Sequence, residues 1–211
     1  MLLIGMFDSP FVRRVAITMK LLDIKFEHAN WSVGKDFDQV RKHNPLGRVP
    51  TLVLDDGEAL IESATILDYL DEGVDVARAL LPRSGAARRQ ALKIMAVASG
   101  AAEKGVLMVY EKAFRPAEKR HQPWVDRCNS QVLGALGELD KLCASRAGQW
   151  LIGNALSQAD ITLTCVCTFL NETMQLNEIS APYPALRQHV LRCESLPVFM
   201  ETHVPFFVPN T

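Results

Sequence analysis

The sequence predicts a small α/β domain followed by a larger all-helical domain. Three observations predict it. Residues 1–76 alternate short apolar runs with helical periodicity, residues 77–85 read as a linker, and from Ala86 onward only helical patterns recur. Of the 211 residues, 48% are hydrophobic, which is ample for a core.

In the first part, Leu2-Leu3-Ile4 is a short apolar strand. From Phe11 to Leu22, the residues Val12, Val15, Ala16, Met19 and Leu22 recur at helical spacing. Lys25 to His28 alternates as a half-buried strand does. Asp38 to His43 forms a short helix that Asn44-Pro45 ends. Thr51 to Leu54 is a strand, Asp56-Gly57 a hairpin turn, and Ala59 to Ile61 the returning strand. Ser63 opens a helix with Ile66, Leu67 and Leu70 on one face.

The second part begins with a long helix from Ala86 to Phe114, stopped by Arg115-Pro116. Gly100 and Gly105 allow it to bend. Trp124 to Cys143 is a second long helix. Ile161 to Leu170 is apolar all round, as a central buried helix must be. Residues 184–192 and 197–202 are shorter helices, and the proline-rich tail from His203 to Pro209 is not helical.

A net charge of −1 supplies no basic surface for nucleic acid. No apolar stretch reaches the roughly 18 residues of a membrane span. The opening MLLIGMF is too short for a secretory leader and lacks a basic start. All five cysteines (Cys128, Cys143, Cys165, Cys167 and Cys193) lie in the second half and form no C-x-x-C pair. They indicate neither a disulfide framework nor a zinc site, and fit a reducing cytoplasm.

Four motifs carry chemistry or mark ends. In Asp8-Ser9-Pro10, serine suits a helix N-cap and proline the first turn. The same hydroxyl, at a helix N-terminus, can instead donate to a bound anion such as a thiolate. In Val49-Pro50, a trans proline can open an edge strand. A cis bond would free the Val49 backbone for a peptide-like ligand. Ser63 can cap its helix or bind an anion there, and Glu62 beside it can take an ammonium. Ser157 and Asp160 form a variant capping box, with Leu156 and Ile161 at the spacing of a hydrophobic staple.

In order and spacing these features resemble the soluble glutathione transferases, over essentially the whole chain. The landmarks are the strand–Ser9-Pro10–helix opening, Asn44-Pro45 through Val49-Pro50-Thr51-Leu52, Ile61-Glu62-Ser63, and Ser157-x-x-Asp160. The resemblance implies a thioredoxin-like glutathione-binding domain over residues 1–76 and an all-helical domain over 86–211 that forms the hydrophobic substrate site. It implies a cytoplasmic homodimer with glutathione as co-substrate, no metal, and no nucleic-acid or membrane partner. By the same resemblance Ser9 stabilises the thiolate and Val49, before a cis Pro50, pairs with the cysteinyl unit. Glu62 and Ser63 take the γ-glutamyl head, Arg48 or Lys35 the glycyl carboxylate, and Phe11 joins these contacts.

The style is closest to the serine-type, tau-like and bacterial members. Cysteine-type members carry Cys where Ser9 stands, and tyrosine-type members place their hydroxyl where this chain has Met6 and Phe7. Zeta-type maleylacetoacetate isomerases open with a serine-cysteine-rich run, from which Ser9-Pro10-Phe11-Val12 departs. For the electrophile pocket, Met108, Tyr110, Glu111 and Arg115 are candidates from the long helix. Phe206 and Phe207 join them because adjacent phenylalanines in such a tail must pack on something. The stripe of Ile94, Val97, Ala98 and Ala101 reads as core or dimer surface. The implied activity is conjugation of glutathione to small hydrophobic electrophiles. Glutathione-dependent isomerisation, lyase or dehalogenase chemistry, and a non-catalytic ligand-binding or regulatory role, are the alternatives on the same fold.

Overall fold

A computed structural model describes residues 1–146, 148–174 and 182–207. The first domain runs β1 (Leu2–Ile4), α1 (Pro10–Leu21), β2 (Glu27–Ala29), α2 (Phe37–Arg41), β3 (Thr51–Val53), β4 (Ala59–Ile61) and α3 (Ser63–Glu72). This is the predicted order. β2 starts later than Lys25 because the ladder begins where the Glu27 N–H meets the Met1 carbonyl at 3.0 Å. The sheet order is β2-β1-β3-β4, with β1 parallel to β2 and antiparallel to β3. The hairpin turn between β3 and β4 forms as expected, with Leu52 opposite Leu60.

The second domain comprises α4 (Gly85–Phe114), α5 (Gln122–Ala144), α6 (Gln158–Thr173), α7 (Pro184–Glu194) and α8 (Pro197–Glu201). α4 is continuous through both interior glycines. Gly105 lets α4 approach α6 closely. A Cβ there would lie 2.6 Å from Leu170 Cδ2 and 3.1 Å from Phe169 Cε1. α6 is buried along most of its length, as its uniform apolarity predicts. Its capping box is present: the Asp160 carboxylate accepts the Ser157 N–H at 2.9 Å. The same carboxylate accepts the Leu151 N–H at 2.8 Å and lies 3.2 Å from His189 Nε2, tying α6 to its neighbours.

One hydrophobic core spans both domains. It joins Leu3, Leu52 and Ile66 to Ile94, Ala98, Ala101, Leu163 and Val166. Ile94, Ala98 and Ala101 are therefore core residues, with Val97 packed at the edge. α1 lies between the sheet and the helical domain, so it is buried almost all round and even Arg13 and Arg14 are inside. Arg13 forks onto both carboxylate oxygens of Glu194 at 2.7 Å and donates to the Phe199 carbonyl at 2.8 Å. The cysteines are unpaired. Burial pushes the thiols of Cys143, Cys165 and Cys193 up to about 12, which leaves them protonated and inert.

Candidate functional site

The chain leaves β1 through Gly5 at φ +130°, where any side chain would collide with Val12 and Val49 at 2.6 and 2.8 Å. This close approach brings the turn carrying Asp8 and Ser9 against the segment carrying Val49. Ser9 occupies the N-cap position of α1 in extended geometry, with Pro10 behind it. Its carbonyl accepts the Arg13 N–H at 2.9 Å, so the backbone part of the cap is formed. Its side chain makes no capping bond. The hydroxyl is thus uncommitted at the positive end of a twelve-residue helix.

Ser9 lines a cavity of about 480 Å³ between the domains, the size of a small-molecule site. Phe11, Arg48, Val49, Tyr110, Phe206 and Phe207 line it too. The Val49-Pro50 bond is cis, and Val49 precedes the ladder, which begins at Thr51. Asn44 holds this segment from below: its amide donates to the Arg48 carbonyl at 2.8 Å and its oxygen accepts the Leu46 N–H at 3.0 Å. Ser63 is the buried first residue of α3. Glu62, before it, takes φ 66°, and its carboxylate pairs with Arg48 at 3.2 Å. Both ends of that pair are solvated, so it holds neither residue firmly.

Behind Ser63 stands Arg14, whose site role local sequence does not disclose. Its Nη2 and Nε donate to the Ser63 hydroxyl at 2.5 and 3.2 Å, and its Nη1 donates to Ser99 at 3.0 Å and Thr162 at 3.4 Å. It has no carboxylate partner among the described residues, and burial lowers its pKa to about 10. Phe11 covers it, with the guanidinium 5.7 Å from the ring centroid. The Ser63 hydroxyl accepts from Arg14, which leaves its own proton to donate, although Ser63 is buried and neither it nor Glu62 lines the cavity. An anion at Ser63 would therefore sit over a buried positive charge.

Among the pocket candidates, Tyr110 lines the cavity and Met108, Glu111 and Arg115 do not. Met108 packs against the core. Glu111 is buried, accepts the His121 N–H at 2.9 Å and pairs with Arg115 at 2.9 Å. The cavity face of α4 instead includes Glu103, Lys104, Val106, Leu107, Tyr110 and Phe114, with Val109 and Ala113 beside them. Burial raises the Tyr110 phenol above its ordinary value. Lys35 is exposed and outside the cavity lining. The tail is anchored by Glu172 on α6, which accepts the Phe206 N–H at 2.7 Å and holds His203 at 2.8 Å. Phe206 packs edge-on against Phe169. Val208 and Pro209, the end of the predicted irregular tail, lie outside the described residues.

Asp8 is the other lining residue that reads locally as turn chemistry. Burial raises its carboxyl above the ordinary carboxylate value, against the lowering effect of backbone N–H groups from Phe207 and Ser9. The negative charge of Glu172 raises it further.

The chain is similar to proteins of one known family over most of its length. The family profile "Glutathione S-transferase, N-terminal domain" matches residues 3–75, and "Glutathione S-transferase, C-terminal domain" matches residues 122–192. An Escherichia coli protein described as an uncharacterized GST-like protein, YibF, is 32% identical over 81% of this chain and 82% of its own. The maleylacetoacetate isomerase of Rattus norvegicus is 26% identical over 97% of this chain and 92% of its own. The crystal structure of a glutathione S-transferase from Methylobacillus flagellatus, with glutathione bound, superposes with a TM-score of 0.88 at 27% identity. It covers 95% of this chain and 98% of that one.

Proposed function

The chain belongs to the glutathione S-transferase family, and from that premise we propose that it binds glutathione and joins its thiolate to small hydrophobic electrophiles. On this reading it is a serine-type enzyme of the cytoplasm that works as a homodimer. The observation that carries the proposal is the uncommitted Ser9 hydroxyl, placed at the N-terminus of α1 and inside the cavity.

Ser9 donates to the thiol sulfur and favours its anionic form. A charge-assisted hydrogen bond is worth roughly 1.5–3 kcal/mol, or about one to two pKa units. A free thiol titrates near 8.5, so one such bond, together with the potential of the α1 N-terminus, makes thiolate the main species near neutrality. Val49 offers its backbone to the cysteinyl unit. Ser63, with Arg14 behind it, takes the γ-glutamyl carboxylate, and Glu62 takes the ammonium. Arg48 or Lys35 meets the glycyl carboxylate, and Phe11 closes the floor. The electrophile lies against Tyr110, Phe206 and Phe207.

Turnover of a nitroaryl halide tests this. Ser9→Ala should lower kcat about 10- to 100-fold and move the pH–rate profile upward by one to two units, as loss of one thiolate hydrogen bond requires. Full turnover in that variant refutes the role of Ser9.

A second reaction is favoured by one observation, the similarity to maleylacetoacetate isomerase over nearly the whole chain. On that reading the thiolate adds to a conjugated double bond, the bond rotates, and the thiolate leaves again. Assay of a cis-enone for its trans isomer, with glutathione unconsumed, distinguishes the two.

A further inference from the structure

Phe206 and Phe207 line the cavity from a segment that belongs to no helix or strand. Among the described residues, the Phe206 N–H is the one backbone group of residues 204–207 that makes a hydrogen bond, and its acceptor is Oε2 of Glu172 at 2.7 Å. The other oxygen of that carboxylate, Oε1, lies 2.8 Å from Nε2 of His203. One side chain on α6 therefore ties the tail at both ends of the stretch from His203 to Phe206. Pro205 stiffens what lies between, because its φ is fixed and the residue before a proline is biased to extended backbone. Phe169 stands three residues before Glu172 on the same face of α6. Its ring meets Phe206 edge-on, with centroids 5.6 Å apart. The polar tie and the aromatic seat of Phe206 thus come from one helix face.

We propose that Glu172 is a positioning residue for the electrophile, whose carboxylate holds the tail so that Phe206 stays seated on Phe169 and completes the apolar wall that receives the second substrate. The proposal rests on the glutathione chemistry proposed above. A segment with no helix or ladder bonds has many conformations open to it, and something must select one. An N–H that donates to an ionised carboxylate makes a stronger bond than one that donates to a neutral acceptor. Without it, Phe206 keeps its place by the edge-on contact alone. Phe207, 63% exposed, has little packing of its own to hold it and follows its neighbour.

Glu172 itself is not part of the cavity lining, so it acts only through the tail. Ser9, Val49 and Ser63 are carried by the first domain and make no hydrogen bond to the tail among the described residues. The two substrates therefore depend on Glu172 unequally. Affinity for the electrophile needs the clamp, and affinity for glutathione and the activation of its thiol do not.

The test measures kcat and both KM values with glutathione and a nitroaryl halide, in wild type, Glu172→Ala and Glu172→Gln. In Glu172→Ala the KM for the halide should rise about tenfold, the order expected when much of one phenyl contact is lost. The KM for glutathione and the kcat at saturating halide should stay within about twofold, because the thiolate contacts are untouched. Glu172→Gln keeps an oxygen that can accept the Phe206 N–H, and should bring the halide KM back to within about twofold of wild type, as a hydrogen bond rather than a charge requires. His203→Ala removes only the exposed partner and should give a smaller rise of about threefold. On a Phe206→Ala background, Glu172→Ala should add no more than about twofold, since the wall it supports is already gone. An unchanged halide KM in Glu172→Ala overturns the proposal, as does an equal rise in both KM values. A glutamine variant no better than the alanine one overturns it too, because the role would then be one of charge. Should Glu172→Ala fail to fold, an unchanged halide KM in His203→Ala overturns the clamp by itself. Calorimetry on the wild type separates the deeper failure: if glutathione does not bind, the parent reading falls, whereas intact binding with a flat halide KM sinks this proposal alone.

Discussion

Arg14→Met is the perturbation that best tests how this fold divides stability from binding. Arg14 is 3% exposed and its partners are the hydroxyls of Ser63, Ser99 and Thr162. Its pKa falls from 12.5 to about 10 through burial, which at 1.36 kcal/mol per unit is a cost of about 3 kcal/mol for keeping the charge inside. The hydrogen bonds return roughly 0.5–1.5 kcal/mol each. The two terms nearly cancel, so methionine, of similar length and apolar, should change the unfolding free energy by less than about 1.5 kcal/mol. Glutathione binding should respond very differently. A carboxylate at Ser63 would lose the one buried charge beneath it, worth roughly 1.5–3 kcal/mol, which is a 10- to 100-fold rise in Kd. Denaturant unfolding gives the first quantity and titration calorimetry the second. A loss of 3–5 kcal/mol in stability with unchanged Kd would refute the reasoning, because that pattern belongs to a structural ion partner.

Two further predictions rest on packing and charge. Gly105→Ala places a methyl group 2.6 Å from Leu170 Cδ2 at the α4–α6 contact. It should destabilise the protein by about 1–3 kcal/mol, read as a lower denaturation midpoint at unchanged m-value; a stabilised variant would refute the close approach. Asp8→Asn should become more stabilising, relative to wild type, as pH rises. The folded-state carboxyl is raised above the ordinary 3.8, so its favourable contribution is complete at low pH and is lost as pH rises through the folded value. Unfolding curves at pH 4 and pH 8 check this, and a relative gain that shrinks with pH refutes it.

The order of elements was legible because each segment's apolar period matches the surface it buries. The strand–helix–strand opening, the 56–57 turn and the α6 capping box all follow from neighbours within a few residues. The arginines of α1 were not legible in that way. Period alone puts a charged pair such as Arg13-Arg14 on the solvent side of an amphipathic helix. α1 has no such side, since the sheet and the helical domain cover opposite faces, and the groups that receive the arginines lie 49 to 186 residues away. The pocket face of α4 shows a related limit. Met108, Glu111 and Arg115 share one helical stripe, and Val106, Leu107, Tyr110 and Phe114 share another. Both are regular. Only the position of α6 and the tail decides which stripe meets the cavity, so Tyr110 was found and its neighbours were not.

Asp8 and Ser9 show what adjacency in sequence does for a site built from distant parts. Both sit at the N-terminus of α1, where the helix favours negative charge. Two anions there would share the same potential and repel each other, so each disfavours ionisation of the other. Ser9 has a free donor for the sulfur because its hydroxyl makes no capping bond. The tail is tied to α6 through the Phe206 N–H, which donates to Glu172 at 2.7 Å. Anything that displaces the tail therefore removes the apolar wall that Phe206 and Phe207 give the cavity beside Ser9.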